Sequence, residues 1–217
     1  MIILISCKGD APKKENATIV QDAIEVDSSQ KTKVKRIVFF GDSLTAGYGL
    51  EDVENAFPGL IQDKIDSLQL NYRVVNSGIS GETTAGGKNR IDWVLNEQPD
   101  IFVLELGAND GLRGVNLSAT KSNLQFIINA VQKKYPDTKI VLAGMQIPPN
   151  MGQEYTAEFK NIFPDLAEKN AIVLVPFLLE NVGGIANLNQ SDGIHPTKEG
   201  HIILAKNVWE VLGPIIQ

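Results

Sequence analysis

A single serine stands where a nucleophile could be held at the end of a buried strand. The apolar run Val34–Phe40 predicts a strand of the parallel type, and it passes directly into Gly41-Asp42-Ser43-Leu44-Thr45. Ligands of α/β proteins bind in the crevice beyond the carboxyl ends of the strands, so Ser43 is a candidate nucleophile for acyl transfer. The plainer alternative is that Asp42 or Ser43 only caps the following helix.

A serine hydroxyl needs a neighbouring base, and the chain contains only two histidines, His195 and His201. His195 follows Asp192 by three residues. At this spacing the carboxylate can hold the Nδ1 proton, which leaves Nε2 to accept a proton from a serine. His201 lies inside a helical pattern and has no acid at that spacing, so we expect a packing or surface role for it.

An oxyanion site would complete the machinery for acyl transfer. Gly81 lies in a glycine-rich turn after the second predicted strand and can offer its backbone N–H. Asn109 follows the third predicted strand and can offer its side-chain amide. Alternatively, Gly81 only provides a turn and Asn109 only bonds its own backbone. Ser80 is the rival nucleophile, but it lacks the direct junction between strand and serine that Ser43 has.

These candidates follow strands that alternate with helices along the chain, as in an open parallel sheet. After the first strand, further strands are predicted at 73–76, 101–106, 139–143 and 171–175. Helical apolar spacing follows the first three strands, and a last helix is predicted over 197–212. The pattern predicts an α/β protein, a three-layer α/β/α sandwich with a flavodoxin-like five-stranded parallel sheet. We assign this domain to residues 34–217.

Composition excludes several classes of protein. The 217 residues carry a formal net charge of −6, whereas proteins that bind nucleic acid need a clustered basic surface. Apolar runs stay short of the ~18 residues of a membrane-spanning helix. The one cysteine can form neither an internal disulfide nor a cysteine-rich zinc site, and the histidines lack a third ligand cluster. We therefore expect no metal.

The cysteine lies at the end of a short apolar segment, residues 1–7. Its sequence Leu4-Ile5-Ser6-Cys7 resembles the lipobox of bacterial lipoproteins, in which the cysteine is lipidated, although the basic region is missing and the apolar run is short. A start codon further upstream would add the basic region and lengthen the apolar run. Residues 8–33 hold five lysines and five acidic residues and predict a flexible tether. We expect a periplasmic or envelope-anchored protein; the alternative is a ragged terminus with an irrelevant thiol.

Four blocks of sequence together resemble the SGNH (GDSL) hydrolases. They are Gly41-Asp42-Ser43-Leu44, Gly81, Gly107-Ala108-Asn109-Asp110 and Asp192-Gly193-Ile194-His195, in that order. The resemblance covers residues 34–217 and is nearest to the bacterial periplasmic thioesterase, lysophospholipase and arylesterase group. It implies Ser43 as nucleophile, His195 as base and Asp192 as its orienting acid. The implied oxyanion donors are the backbone N–H groups of Ser43 and Gly81 and the side chain of Asn109.

The resemblance also implies hydrolysis of small-molecule acyl esters or thioesters through an acyl-serine, without a cofactor. The segment 145–152 resembles that group's loop above the site, and its Met145, Ile147 and Pro148 suit an acyl chain. Two alternatives stay open: a carbohydrate acetylesterase of the same fold, and a non-catalytic binding lipoprotein. We expect a monomer.

Overall fold

Five parallel strands form the centre of the protein, in a computed structural model that describes residues 33–217. Their order in the sheet is β2-β1-β3-β4-β5, which is the flavodoxin-like order of a doubly wound sheet. β1 and β3 are central, and their side chains are almost all buried. The strands are β1 Lys35–Gly41, β2 Tyr72–Gly78, β3 Ile101–Glu105, β4 Lys139–Ala143 and β5 Val173–Val175.

Within residues 33–217, seven α-helices connect and follow these strands. α2 packs against α7, whereas α5 packs against both α3 and α6, which gives the three-layer α/β/α sandwich that the sequence predicted. The helices are α1 Ser43–Ala46, α2 Phe57–Ser67, α3 Thr84–Val94, α4 Ala108–Leu112, α5 Leu117–Lys134, α6 Gln153–Asn170 and α7 Lys198–Ile216.

Two elements differ most from the sequence prediction, whereas β1, β2, β3 and α7 differ from their predicted bounds only at the ends, by one to four residues. β5 begins at Val173 and not at Ala171, because Ala171 has a left-handed φ of 50° and ends α6. For α6 itself no residue range was predicted. Its buried Phe159, Phe163 and Leu166 nevertheless have helical spacing, and this is the signal that would have located it.

The strand order places the functional loops next to one another. The sheet order reverses at β1, between β2 on one side and β3 on the other, and ligand crevices form at such a switch point. Gly41 at the end of β1 pairs with Gly78 of β2 and with Glu105 of β3. The loops that follow these three strands therefore start from one edge of the sheet.

Candidate active site

Ser43 and the segment before α7 meet at this edge. Nε2 of His195 lies 2.9 Å from Oγ of Ser43. Its Nδ1 lies 2.7 Å from Oδ2 of Asp192. A proton on Nδ1 is bound by the carboxylate, which leaves Nε2 to accept the hydroxyl proton of the serine. The three side chains therefore have the geometry of an acyl-transfer triad.

The position of Ser43 follows from the short helix α1. Asp42 precedes that helix, and its Oδ1 accepts a hydrogen bond from the backbone N–H of Leu44 at 3.0 Å. Gly47 ends the helix with a φ of 77°, a left-handed conformation that glycine adopts at little cost. The two interpretations of this junction are therefore compatible. Asp42 caps the helix, and Ser43 at the first helical position faces a cavity.

Asp192 is held by the turn that it shares with His195. Its Oδ1 accepts hydrogen bonds from the backbone N–H groups of Ile194 and His195, each at 3.0 Å. These bonds and the stronger one from the His195 ring lower the pKa of Asp192 to about 2. The carboxylate is consequently ionised at any pH where the histidine is a useful base.

Three groups that could donate to an oxyanion surround Ser43. Within the described residues 33–217, the backbone N–H groups of Ser43 and Gly81 donate to no other group. Gly81 has a φ of 79°, which a side chain would strain. Nδ2 of Asn109, the third donor, already bonds Oδ2 of Asp42 at 2.9 Å and the carbonyl oxygen of Glu82 at 3.1 Å. An oxyanion would therefore share one of these Asn109 hydrogens.

The geometry agrees with the comparison with known protein families. The model of the GDSL-like lipase/acylhydrolase family matches residues 39–203, which is most of the chain. The chain belongs to the GDSL-like lipase/acylhydrolase family. The sequence-based resemblance to the SGNH (GDSL) hydrolases is thereby confirmed, and the chain is a carboxylic ester hydrolase.

Similar acylhydrolases are found among bacterial proteins. Esterase TesA of Pseudomonas aeruginosa is 38% identical over 189 residues, which cover 87% of this chain and 92% of TesA. Thioesterase 1/protease 1/lysophospholipase L1 of Escherichia coli is 35% identical, over 83% of this chain and 84% of its own length. The crystal structure of the esterase EstA from Pseudoalteromonas sp., inhibited by monoethylphosphonate, has a TM-score of 0.78 at 32% identity and covers 83% of this chain and 98% of EstA.

In this acylhydrolase the serine opens onto a cavity of about 660 Å³. Most of its walls are apolar, and they come from the segments that follow all five strands. Arg113 is the one permanent cation among the described residues that line it. The apolar wall includes Tyr48, Leu112, Ile147, Pro148, Phe177 and Leu179.

The residues predicted to contact substrate divide into two groups. Ile147 and Pro148 line the cavity, but Met145 does not. The side chain of Met145 is 1% exposed and packs in the core, because β4 has only just ended at Ala143 and the chain still runs between packed helices and sheet. Ser80 lies on the cavity wall, yet the bond from the histidine ring goes to Ser43.

His201 lies outside the cavity in a packing position, one of the two roles, packing or surface, that the sequence predicted. It is 1% exposed, and its Nδ1 accepts a hydrogen bond of 3.2 Å from the backbone N–H of Phe57. Burial lowers the pKa of His201 to about 4, so the ring is neutral near pH 7. This neutral ring joins α7 to the first turn of α2.

Several residues around the site were not singled out from the sequence. The ring of Tyr48 packs on that of His195 with centroids 4.5 Å apart. Nε2 of Gln190 bonds the carbonyl oxygens of Tyr48 and Pro196, at 2.7 and 3.0 Å, and so ties the two loops together. The one sequence feature that could have indicated Tyr48 is its place in the same run as Ser43. For Gln190 the sequence held no such indication.

The loop that carries Gly81 is tied down by an arginine. Arg90 of α3 forms an ion pair with Glu82, next to Gly81. Its guanidinium also donates to the carbonyl oxygens of Ser77 and Gly41, at 2.8 and 3.4 Å. One side chain thus connects the ends of β1 and β2 to the loop that carries Gly81.

Residues 33–217 show neither a metal cluster nor a membrane-spanning helix. In that range, His, Cys, Asp and Glu side chains do not gather in groups of three or more that could hold a metal ion. None of the helices described there is long and apolar enough to cross a membrane.

Proposed function

We propose that this esterase works through an acyl-enzyme on Ser43, with His195 as general base and acid. The observation that carries the proposal is the hydrogen-bonded series from Asp192 through His195 to Ser43, with distances of 2.7 and 2.9 Å. No other described serine is bonded to a histidine ring. Family membership and the names of the relatives support the same class of reaction.

In the acylation step, Oγ of Ser43 attacks the ester carbonyl while Nε2 of His195 takes the hydroxyl proton. The new oxyanion accepts hydrogen bonds from the N–H groups of Ser43 and Gly81 and shares a hydrogen of Asn109 Nδ2. His195 then gives its proton to the leaving group as the bond to the carbonyl carbon breaks. Ionised Asp192 stabilises the imidazolium that exists between these two transfers.

In the deacylation step, water replaces the alcohol or thiol. His195 takes a proton from the water as it attacks the acyl carbon, and a second oxyanion forms in the same place. The proton then passes to Oγ of Ser43 as the acyl–serine bond breaks. The acid is released and the hydroxyl is restored, so the cycle needs no cofactor.

The cavity favours substrates with an extended acyl chain. Its apolar wall, which includes Ile147, Phe177 and Leu179, would bury hydrocarbon and gain about 0.8 kcal/mol for each methylene. This supports acyl thioesters, lysophospholipids and aryl esters, which the relatives' names suggest. A carbohydrate acetylesterase would not use so large an apolar wall, and a pure binding protein would not use the triad.

Replacing Ser43 with Ala tests the nucleophile. We expect hydrolysis of p-nitrophenyl esters to fall by about 10⁴-fold or more, because no other hydroxyl is bonded to the base. The matched control is Ser80→Ala, which removes the other serine on the cavity wall. A fluorophosphonate probe should label the wild type and the control but not Ser43→Ala. Labelling that follows Ser80 would overturn the assignment.

A panel of substrates tests the acyl preference. We expect kcat/KM for p-nitrophenyl esters to rise with acyl length beyond acetate until the cavity is filled. Acyl-CoA and lysophospholipid should be hydrolysed in the same assay, and acetylated sugars should not. Highest activity on acetylated sugars would instead support the carbohydrate acetylesterase.

We further infer that the protein is a monomer anchored in the cell envelope, or free in the periplasm. The anchoring part is supported by Leu4-Ile5-Ser6-Cys7 and the polar segment 8–33, which lie outside the described residues apart from residue 33. Wild type expressed in a bacterial host should incorporate labelled palmitate, and Cys7→Ser should not. Equal incorporation by both, or none by either, contradicts anchoring through Cys7; sedimentation of the purified enzyme tests the monomer.

A further inference from the structure

Two carboxyl groups are buried together behind the nucleophile, and the mechanism above uses neither. Asp42 follows β1, and Glu105 ends β3 opposite Gly41. Their exposed fractions are 1% and 0%. Among residues 33–217, no lysine or arginine forms an ion pair with either one. Carboxylates are seldom buried in this way because the charged form loses its hydration.

Glu105 has the surroundings of a neutral acid. Its Oε2 accepts hydrogen bonds from Oγ1 of Thr45 at 2.7 Å and from the backbone N–H of Asp42 at 3.2 Å. Its Oε1 has no hydrogen-bond partner. An ionised carboxylate would leave that oxygen charged and unsolvated. Burial and the nearby charge of Asp42 raise the pKa of Glu105 well above its usual range.

Asp42 has the surroundings of an ionised acid. Its Oδ1 accepts from the backbone N–H of Leu44 at 3.0 Å, and its Oδ2 accepts from Nδ2 of Asn109 at 2.9 Å. Burial raises the pKa of Asp42 to about 6, against the lowering effect of these bonds and of His195. Near pH 7 the pair therefore holds one proton, on Glu105.

The charge on Asp42 helps to fix which way round the amide of Asn109 lies, together with the carbonyl oxygen of Glu82, which accepts from the same Nδ2 at 3.1 Å. An ionised carboxylate only accepts hydrogen bonds, so it must face the NH₂ group and not the carbonyl oxygen. At the other end of the amide, a guanidinium nitrogen of Arg113 donates to Oδ1 of Asn109 at 3.2 Å. A neutral Asp42 would accept more weakly from Nδ2, and as a donor it would favour the reversed amide against the Glu82 carbonyl oxygen and Arg113.

We propose that Asp42 is a positioning residue whose carboxylate keeps Nδ2 of Asn109 available to the oxyanion, and that neutral Glu105 lets Asp42 carry this charge. The inference rests on ester hydrolysis at Ser43. Glu105 also holds the backbone of Asp42 through its Oε2, so the pair controls both the position and the charge of the carboxylate.

Two amide substitutions test which acid carries the proton, because an amide has nearly the shape of a neutral carboxyl group. Glu105→Gln should keep kcat within about threefold of the wild type. Asp42→Asn should lower kcat about 10²-fold with little change in KM, because Asn109 loses its anionic acceptor. The reverse pattern, a harmful Glu105→Gln and a harmless Asp42→Asn, would overturn the proposal.

Infrared spectroscopy gives a readout that does not depend on activity. At pH 7 the wild type should show the carbonyl band of a protonated carboxyl group. That band should persist in Asp42→Asn and in the control Glu168→Gln, which removes an exposed acid on α6, and should vanish in Glu105→Gln. Its absence from the wild type, or its loss in Asp42→Asn alone, would contradict the assignment.

Different results would contradict ester hydrolysis at Ser43 and the proposed roles of Asp42 and Glu105. If the wild type hydrolyses no ester, ester hydrolysis at Ser43 fails, while the infrared band still reports on Glu105. If Asp42→Asn does not fold, Arg113→Gln is the second variant. It removes the guanidinium from the Asn109 amide and should also lower kcat more than it raises KM. An unchanged kcat in that variant would contradict the role of amide orientation.

Discussion

Single side chains in this site act in pairs, because each polar group at the serine is held by a second group. Asp192 holds His195 through one ring nitrogen, and Tyr48 packs on the ring face. Asp42 and Arg113 hold opposite ends of the Asn109 amide. Such support limits the reorganisation that developing charge would otherwise require.

Removing the Asn109 amide should affect turnover and not binding. We expect Asn109→Ala to lower kcat by about 10²–10³-fold, with KM almost unchanged, because the amide hydrogen is needed chiefly in the transition state. Steady-state kinetics on p-nitrophenyl esters measure this. Asn123→Ala is the control, since Asn123 bonds Thr84 outside the cavity. A change confined to KM would count against the oxyanion role.

The ring of Tyr48 should stabilise His195 when it is protonated. A cation over an aromatic face gains roughly 1 kcal/mol at a partly exposed site, so Tyr48→Leu should lower kcat about fivefold. Tyr48→Phe keeps the ring and should keep most of the rate. Steady-state kinetics of the two variants on p-nitrophenyl esters measure this. Equal kcat values for both variants would mean that the ring only fills space.

At the level of whole elements, the depth of the cavity depends on α4, α6 and the segment that leads into α6. A side chain at Gly111 of α4 would come within 2.6 Å of Ile147 and 2.8 Å of Phe159. The cavity wall at Ile147 is thus in direct contact with α4, and this packing fixes the shape of the wall. Leu179 and Gly183, which also line the cavity, come from the loop after β5.

Narrowing the cavity at Leu179 should change acyl preference. Leu179 is half-buried and lines the wall. We expect Leu179→Trp to reduce kcat/KM for long-chain p-nitrophenyl esters about tenfold relative to the acetate. The matched control is Leu68→Trp, at an exposed position at the end of α2. If the ratio of long-chain to acetate activity is unchanged, the acyl chain lies elsewhere.

For the molecule as a whole, His201 forms a buried contact between α7 and α2 whose strength depends on pH. The folded state lowers the pKa of His201 from 6.5 to about 4. Its contribution to stability is therefore complete above pH 6.5 and is lost as the pH falls toward 4, because the unfolded chain takes up the proton first. The raised pKa values of Asp42 and Glu105 act in the opposite sense, so a variant is needed to separate them.

Urea unfolding at pH 7.5 and 4.5 tests this contact. We expect the free energy of unfolding of the wild type to fall by about 2 kcal/mol more than that of His201→Asn between these values. Asparagine keeps an acceptor for the Phe57 N–H but does not titrate. A difference of zero between the two proteins would show that His201 does not contribute to acid lability.

Patterns along the chain were sufficient for the fold class and for the choice of candidate reactive groups. Apolar runs predicted the strands, and Ser43, Gly81 and Asn109 follow strand ends within a few residues, so local order alone indicated which groups lie at the sheet edge. Asp192 and His195 are three residues apart, and their contact is local too. The weak point was β5, whose start depends on the left-handed Ala171 at the end of α6.

Only the tertiary structure decided what surrounds these groups. Glu105 lies against Asp42, and Asp42 holds the amide of Asn109, whereas Met145 is buried in the core and does not line the cavity. Side chains alternate between the two faces of a strand, so their directions within the strand can be predicted. After the strand has ended this alternation stops, and it no longer predicts the direction of a loop side chain such as Met145. Contacts between residues that are sixty or more positions apart in the sequence depend on how the helices and strands pack. The proton on Glu105 is a property of that packing, because the burial that keeps it neutral exists only in the folded protein.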